Sequence, residues 1–278
     1  MRGPHRACRH GVTRHSARTN RTDNLAAWCG PHLPGTPSAL LHGDQRSAGS
    51  GRAAAPRTGR AGKSFVRAAG FTPSDASTLL VYVMDVYDPW SYAYLPSVSA
   101  VLSAACSLVD VEIVHAGRYS AQPTSALAAS VTEVRSRRAA DFGPAFLAAL
   151  ESGSLQLDAA AAAAGMIALL ASGDMPVSTV LGAVQHEFFV NGQPLEAPGV
   201  LGRVATRLGL DAPAIEVFAA SERARELALE DFAVAKELDM DGGPLLLASR
   251  GDRLFEFDGL GATGERLVDQ FRTVLAKP

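Results

Sequence analysis

Cysteine is scarce in this chain of 278 residues, and no hydrophobic run is long. Of the three cysteines only Cys106 lies beyond residue 70, which excludes a disulfide-rich scaffold and a cysteine-based zinc site in that part of the chain. A membrane-spanning helix needs about 20 consecutive apolar residues, and no segment approaches this length. The apolar core of a secretory signal is not recognisable either. We therefore expect a reduced, cytoplasmic protein without a membrane partner.

Acidic residues are nearly missing from the first part of the chain. Residues 1–70 carry 12 Lys or Arg and 2 Asp, a net charge of +10, whereas the remainder carries 14 basic and 26 acidic groups, a net charge of −12. Residues 1–75 show no periodicity and are dominated by Arg, Gly, Pro and Ser, which predicts a disordered basic tail. An organelle transit peptide shares this composition. Our hypothesis is that the natural start lies near Val66 and that residues 1–65 reflect a misassigned start.

The body, residues 76–278, begins with a strand–helix–strand pattern. The continuous apolar run Thr78–Asp85 is typical of a strand buried on both faces. Asp88 and Pro89 interrupt it, and a helix is predicted from Trp90 to about Val109. Val111–His115 then reads as a second strand. A strand–helix–strand unit with short joints predicts two parallel strands. The net negative charge predicts that this body binds no nucleic acid.

A long helical region follows, and a hairpin and a last helix end the body. The hairpin strands are Leu245–Ala248 and Leu254–Phe257, and the last helix is Thr263–Leu275. This order predicts an α/β protein with a thioredoxin-like fold interrupted by an all-helical insertion over about residues 130–238. The helices predicted between the second strand and the hairpin are Thr132–Leu150, Asp158–Ala171, Pro176–Val190, Pro198–Leu208, Pro213–Ala219 and Ser221–Leu238.

Three motifs carry a resemblance to a known family. The segment Met84–Tyr94, MDVYDPWSYAY, resembles the strand-to-helix turn of the DsbA-like branch of the thioredoxin superfamily, where the turn reads Cys-Pro-Trp-Cys. The segment Glu187–Gly192 with the helix after it is similar to that family's helical insertion. Gly243 and Pro244 fall where the family places a cis-proline. The resemblance covers about Thr78–Leu275 and implies a thioredoxin-like oxidoreductase fold.

The chain departs from this family where the two cysteines would stand, because it has Asp88 and Ser91 there. Dithiol exchange needs one thiolate to attack and a second to resolve the mixed disulfide, so we predict that this activity is lost. We interpret Cys106, which lies further along the helix, as a small buried hydrophobic residue. Asp88 and Ser91 remain the candidate catalytic residues. The alternative, that Asp88 serves only as a helix cap before Pro89, is a strong one, because Asp before Pro is a preferred helix start.

A second branch offers a sharper alternative. Kappa-class glutathione transferases and hydroxychromene carboxylate isomerases resemble this organisation and use a Ser-Pro-Tyr-Ser turn, whose first serine meets the glutathione sulfur. Asp88 at that position would repel a thiolate unless it acted as a general base toward the thiol, and the Ser91 hydroxyl could donate to the sulfur. The resemblance therefore implies glutathione as a ligand. We expect no other cofactor and no metal.

Four further residues are candidates for ligand binding: Trp90, Tyr92, Gly243 and Pro244. A cis Pro244 would turn the Gly243 backbone toward Asp88, where relatives pair with an extended peptide or with glutathione. Our first hypothesis is a redox-inactive relative with a glutathione-type isomerase or transferase activity. The alternative is a non-catalytic protein that binds a peptide or small ligand in the cis-proline groove. The sequence does not predict an oligomeric state.

Overall fold

The computed structural model describes residues 78–120, 124–137, 139–172, 175–238, 243–250 and 253–276. The predicted disordered tail and the proposed start near Val66 lie outside the described residues. No helix in the described part of the chain is both long and apolar enough to cross a bilayer.

A four-stranded mixed sheet forms within these residues, in the order β2-β1-β3-β4. The central strand β1 is parallel to β2, with Met84 opposite His115, and antiparallel to β3, with Val83 opposite Leu245. Strands β3 and β4 form the predicted antiparallel hairpin. The strand bounds are β1 Thr78–Met84, β2 Asp110–His115, β3 Leu245–Arg250 and β4 Arg253–Glu256.

Strand β1 lies at the centre because its sequence offers no polar face. Leu80 to Met84 are buried without a break, as predicted for a strand covered on both sides. The carboxyl ends of the parallel strands β1 and β2 meet at one edge of the sheet, and the antiparallel strand β3 starts there. The turn after Met84, the loop after His115 and Pro244 therefore converge at this edge.

Nine α-helices occur in the described residues, and a 3-10 turn covers Arg118–Ser120. Asp158 and Ser221 cap two of them, as their side-chain oxygens accept backbone N–H groups of the first turn. The helices are α1 Pro89–Ala105, α2 Thr124–Ser136, α3 Pro144–Glu151, α4 Ala159–Ala171, α5 Val177–Phe189, α6 Val200–Arg207, α7 Ala212–Ala219, α8 Glu222–Glu237 and α9 Gly264–Leu275.

The single helix predicted over Thr132–Leu150 is wrong, because two helices occupy this region. Helix α2 starts earlier, at Thr124, and ends at Ser136, and α3 begins only at Pro144. Proline has no N–H to donate and its ring clashes with the preceding turn, so Pro144 suits the first position of a new helix. The other helices match their predicted ranges to within two residues, apart from α1, which ends at Ala105.

The helices pack against the sheet and against one another. Helices α5 and α9 pack against α1, and α8 packs against both β2 and α4. Helix α4 is apolar on every side and buries all of its residues except Ala161, as expected of a helix surrounded by protein. The core is therefore continuous from the sheet into the helices between β2 and β3.

An aromatic cluster joins α1 to these helices. The Tyr92 ring stacks on Phe189 at 4.8 Å between ring centroids and lies 5.6 Å from Phe142. Phe146 packs edge-on against Phe188 and Phe189 at 5.1 and 5.3 Å. Ring pairs at these separations add to the free energy of burial. The cluster holds the beginning of α1 in place, and with it the turn that precedes this helix.

Gly143 tests how tightly this cluster is packed. An alanine Cβ at this position would lie 2.1 Å from the Val190 carbonyl oxygen, which is backbone and cannot move aside. We expect Gly143→Ala to lower the free energy of unfolding by about 1–3 kcal/mol. Thermal and denaturant unfolding followed by circular dichroism measures the change.

The matched control is Gly182→Ala in α5, where the nearest atom to the added Cβ is 3.8 Å away. We expect this variant to gain about 0.5–1 kcal/mol, since alanine is a better helix former. Equal effects of the two substitutions would contradict the packing described here.

Candidate functional site

The turn between β1 and α1 holds Asp88 and Ser91, the two candidate catalytic residues. Asp88 is the N-cap of α1, with φ −83° and ψ 119°, and Pro89 occupies the first helical position. The Asp88 Oδ2 atom accepts two hydrogen bonds from Ser91, one from its backbone N–H at 2.7 Å and one from its hydroxyl at 2.8 Å. Both side chains are fully buried. The structure thus joins Asp88 and Ser91 in one hydrogen-bonded unit.

The second oxygen of Asp88 has no such partner. Oδ1 is buried and accepts no hydrogen bond. Burial raises the pKa of Asp88 from its ordinary value of 3.8 to about 6, against the hydrogen bonds from Ser91, which lower it. The charge of Asp85 raises this pKa further and that of Arg118 lowers it. A carboxyl group with these properties can hold or release a proton near neutral pH.

Asp85 organises the turn, and our sequence reasoning did not select it. Its carbonyl oxygen accepts from the Asp88 N–H at 3.2 Å, and its own N–H donates to the Ser91 hydroxyl at 3.4 Å. Its carboxylate accepts from the backbone N–H groups of Tyr87 at 2.8 Å and Arg118 at 2.6 Å. Its position in the sequence could have indicated this role. Asp85 directly follows a buried apolar strand, where a carboxylate without a hydrogen-bond partner would be costly.

Two tyrosines also lie close to Asp88. Tyr82 is buried on β1. Burial, followed by the charge of Asp88, raises the pKa of Tyr82 and also that of Tyr119, which follows β2. Both phenols therefore stay protonated, and the negative charge of the site rests on the carboxylates.

Trp90 lies at the edge of a cleft beside the turn. The Arg137 guanidinium lies 5.3 Å from the Trp90 ring centroid, and the centroid of the Tyr94 ring lies at the same distance from it. A cleft of about 570 Å³ runs from these residues to Thr263 at the start of α9. Arg137 is also paired with Glu133 at 2.7 Å. The cleft is large enough for a small organic ligand.

The structure places Tyr92 away from this cleft. Its ring belongs to the aromatic cluster with Phe142 and Phe189, and its hydroxyl donates to the Asp141 carbonyl oxygen at 3.2 Å. These contacts give Tyr92 a packing role. Its assignment to ligand binding stays a prediction.

The prediction of a cis-proline is wrong. No peptide bond in the described residues is cis, so the bond between Gly243 and Pro244 is trans. Gly243 has φ +43°, a backbone conformation that glycine adopts without strain. This conformation redirects the chain into β3 without a cis bond. Both residues are buried, so they offer no open main-chain groove at the Asp88 turn.

Cys106 and His115 lie outside the Asp88–Ser91 unit. Cys106 is the C-cap residue that follows α1, about 27 Å along the helix axis from Asp88. It is half-buried, not fully buried as predicted, and its Sγ contacts the Ser103 carbonyl oxygen at 3.3 Å. The buried His115 ring forms a hydrogen bond with Asp231 at 3.0 Å through Nδ1.

In the described part of the chain no three His, Cys, Asp or Glu side chains form a cluster suited to a metal ion.

Comparison with known proteins gives one family match and several similar structures. The family model of the DSBA-like thioredoxin domain matches residues 79–276. No curated protein matches the sequence. A candidate protein disulfide isomerase from Nitrosomonas europaea is 19% identical, with a TM-score of 0.62 and coverage of 72% of this chain and 98% of its own.

The chain is also similar to the cytosolic disulfide reductase DsbM from Pseudomonas aeruginosa. This reductase is 22% identical and covers 70% of this chain and 98% of its own, with a TM-score of 0.58. Its structure with GSH has a TM-score of 0.56 at the same identity and coverage. These likenesses support the fold, and the predicted thioredoxin-like class is confirmed.

The buried Asp88 makes stability depend on pH in a direction that can be measured. Its pKa is higher in the folded protein, about 6, than the ordinary 3.8, so the folded state binds the proton more tightly. This contribution to stability is complete below pH 3.8 and is lost as the pH rises through about 6. The shift corresponds to about 3 kcal/mol.

We expect Asp88→Asn, which keeps a capping side chain, to remove this dependence. Denaturant unfolding of both proteins between about pH 3 and pH 8, a range that spans both the unfolded and the folded pKa of Asp88, gives the difference curve. Parallel pH profiles of the two proteins would contradict the buried, proton-binding carboxyl group.

Proposed function

Because the chain belongs to the DSBA-like thioredoxin domain family yet has Asp88 and Ser91 in place of both cysteines, we propose that it is a redox-inactive member that activates a glutathione-type thiol. The proposed activity is that of an isomerase or transferase, in the cytoplasm. The observation that carries the proposal is the Asp88 carboxyl group, one of whose oxygens is bound by Ser91 while the other is buried and has no partner.

In this proposal Asp88 acts as a general base. Its Oδ1 atom accepts the proton of the ligand thiol, and the sulfur forms a bond to an electrophilic carbon of the second substrate. The leaving group departs with the electron pair of its bond. The Ser91 hydroxyl keeps Oδ2 occupied, so that Oδ1 is the oxygen available to the proton. The structure of DsbM with GSH supports a thiol ligand of this size in a similar fold.

A thiol group on the ligand matches the hydrogen-bonding need of the Asp88 carboxylate. An unpartnered buried carboxylate oxygen calls for a hydrogen-bond donor, and an S–H group supplies one with little polar surface of its own. The pKa of about 6 leaves Asp88 ionised at neutral pH, which is the state that a general base needs.

The complete burial of Asp88 and Ser91 favours a second candidate function. In it, both residues serve only to start α1, and the protein binds a small ligand without chemistry in the cleft beside Trp90. This replaces the cis-proline groove as the place of binding, since Pro244 is trans and buried. The two candidate functions differ in whether substitution of Asp88 changes the rate of a reaction.

The rate of thioether formation between glutathione and an activated haloaromatic tests the general base. After subtraction of the uncatalysed reaction, we expect the rate to rise with pH through about 6 and then level off, because Asp88 must be ionised. Asp88→Asn should lower the rate by about 10²- to 10⁴-fold and remove this inflection.

Asp158→Asn is the matched control, since Asp158 caps α4 and should leave the rate unchanged. An Asp88→Asn variant that keeps both the rate and the pH profile would favour the second candidate. No rate above the uncatalysed reaction would do the same.

A double variant, Asp88→Cys with Ser91→Cys, tests the loss of dithiol chemistry. It restores the family's two thiols at the start of α1, where free N–H groups stabilise a thiolate. We expect it to catalyse insulin reduction by dithiothreitol, whereas the unsubstituted protein and the single Ser91→Cys variant should not. Insulin reduction catalysed by the unsubstituted protein would contradict the proposal.

A further inference from the structure

Arg118 is held at the site by the same residue that holds the Asp88 turn. It follows the end of β2, and its backbone N–H donates to the Asp85 carboxylate at 2.6 Å. The Asp88 N–H donates to the Asp85 carbonyl oxygen at 3.2 Å. Arg118 and Asp88 are therefore both bonded to Asp85, although they are 30 positions apart in the chain. This fixes the distance between the arginine backbone and the turn.

The Arg118 side chain is exposed and directed by an aromatic neighbour. Its guanidinium lies 5.7 Å from the centroid of the Tyr119 ring, close enough for a cation–π contact. Tyr119 itself is buried, so it offers a fixed surface. The guanidinium makes no ion pair in the described part of the chain. Burial raises the pKa values of Asp85, Asp88 and Tyr119, and the charge of Arg118 opposes part of each rise, in keeping with a position near all three.

The charge balance of the site gives this arginine a function. Asp85 and Asp88 are buried carboxyl groups, and an anionic ligand that approached them alone would be repelled. An exposed cation beside them offsets that repulsion and attracts anions to the site. Arginine suits carboxylates in particular, because its planar fork donates two parallel hydrogen bonds.

We infer that Arg118 binds a carboxylate of the ligand at the Asp88 turn, so that the protein selects carboxylate-bearing thiols over neutral ones. The inference rests on the proposed thiol-binding function and names the ligand class of that site. Arg118 would be a specificity residue, whereas Asp88 would meet the sulfur.

Calorimetric titration of the full chain with glutathione and with glutathione diethyl ester tests this inference. The ester keeps the thiol and loses both carboxylates. We expect Arg118→Gln to weaken glutathione binding by about 10- to 100-fold, the effect of losing a charged hydrogen bond. Binding of the ester should be weak and equal in the two proteins. Arg135→Gln, an exposed arginine on α2, is the matched control and should bind glutathione as the unsubstituted protein does.

The outcomes separate the two claims. Unchanged glutathione binding by Arg118→Gln, with binding by the unsubstituted protein intact, would overturn the role of Arg118 and leave the proposed function standing. Equal affinity of the unsubstituted protein for glutathione and its ester would do the same. No binding of either compound would overturn both claims. Thermal unfolding of each variant checks that the substitution at this exposed position leaves the fold intact.

Discussion

The structure of the site depends on the pair of hydrogen bonds that Ser91 donates to Asp88 Oδ2. They satisfy a backbone N–H at the start of α1 and fix the direction in which this helix leaves β1. Trp90, Tyr92 and Tyr94 lie in the first two turns of the helix, so their positions follow from that direction. The cleft beside Trp90 and the packing of Tyr92 against Phe189 both depend on how α1 starts.

The same bonds decide the electrostatics. A helix start favours a negative charge, and in relatives with a dithiol that charge is a thiolate. Here the carboxylate of Asp88 supplies the negative charge. A carboxyl group cannot form a disulfide, but it can exchange a proton. Because only one of the Asp88 carboxyl oxygens is bonded, burial raises its pKa to about 6. A carboxyl group cannot take part in disulfide exchange, so proton transfer is the chemistry that this residue type allows.

The strands and the Asp88 cap could be predicted because they depend on local sequence. A run of apolar residues ending in Asp-Pro specifies both a buried strand and the helix start that follows it. The roles of Asp85 and Arg118 could not be predicted, because their hydrogen bond joins residues 33 positions apart in the chain. The break before Pro144 could have been predicted from the proline itself. The trans peptide bond before Pro244 could not have been predicted, because the φ of Gly243 depends on how β3 joins the sheet.

The central claim is that a thiol ligand binds at the Asp88 turn. Backbone amide NMR spectra of the ¹⁵N-labelled full chain, recorded during titration with glutathione, test it most directly. The account predicts saturable shifts of the amide signals of Trp90, Ser91 and Arg118, which Asp88→Asn reduces. Signals that do not move, or shifts confined to α6 and α7, would contradict it.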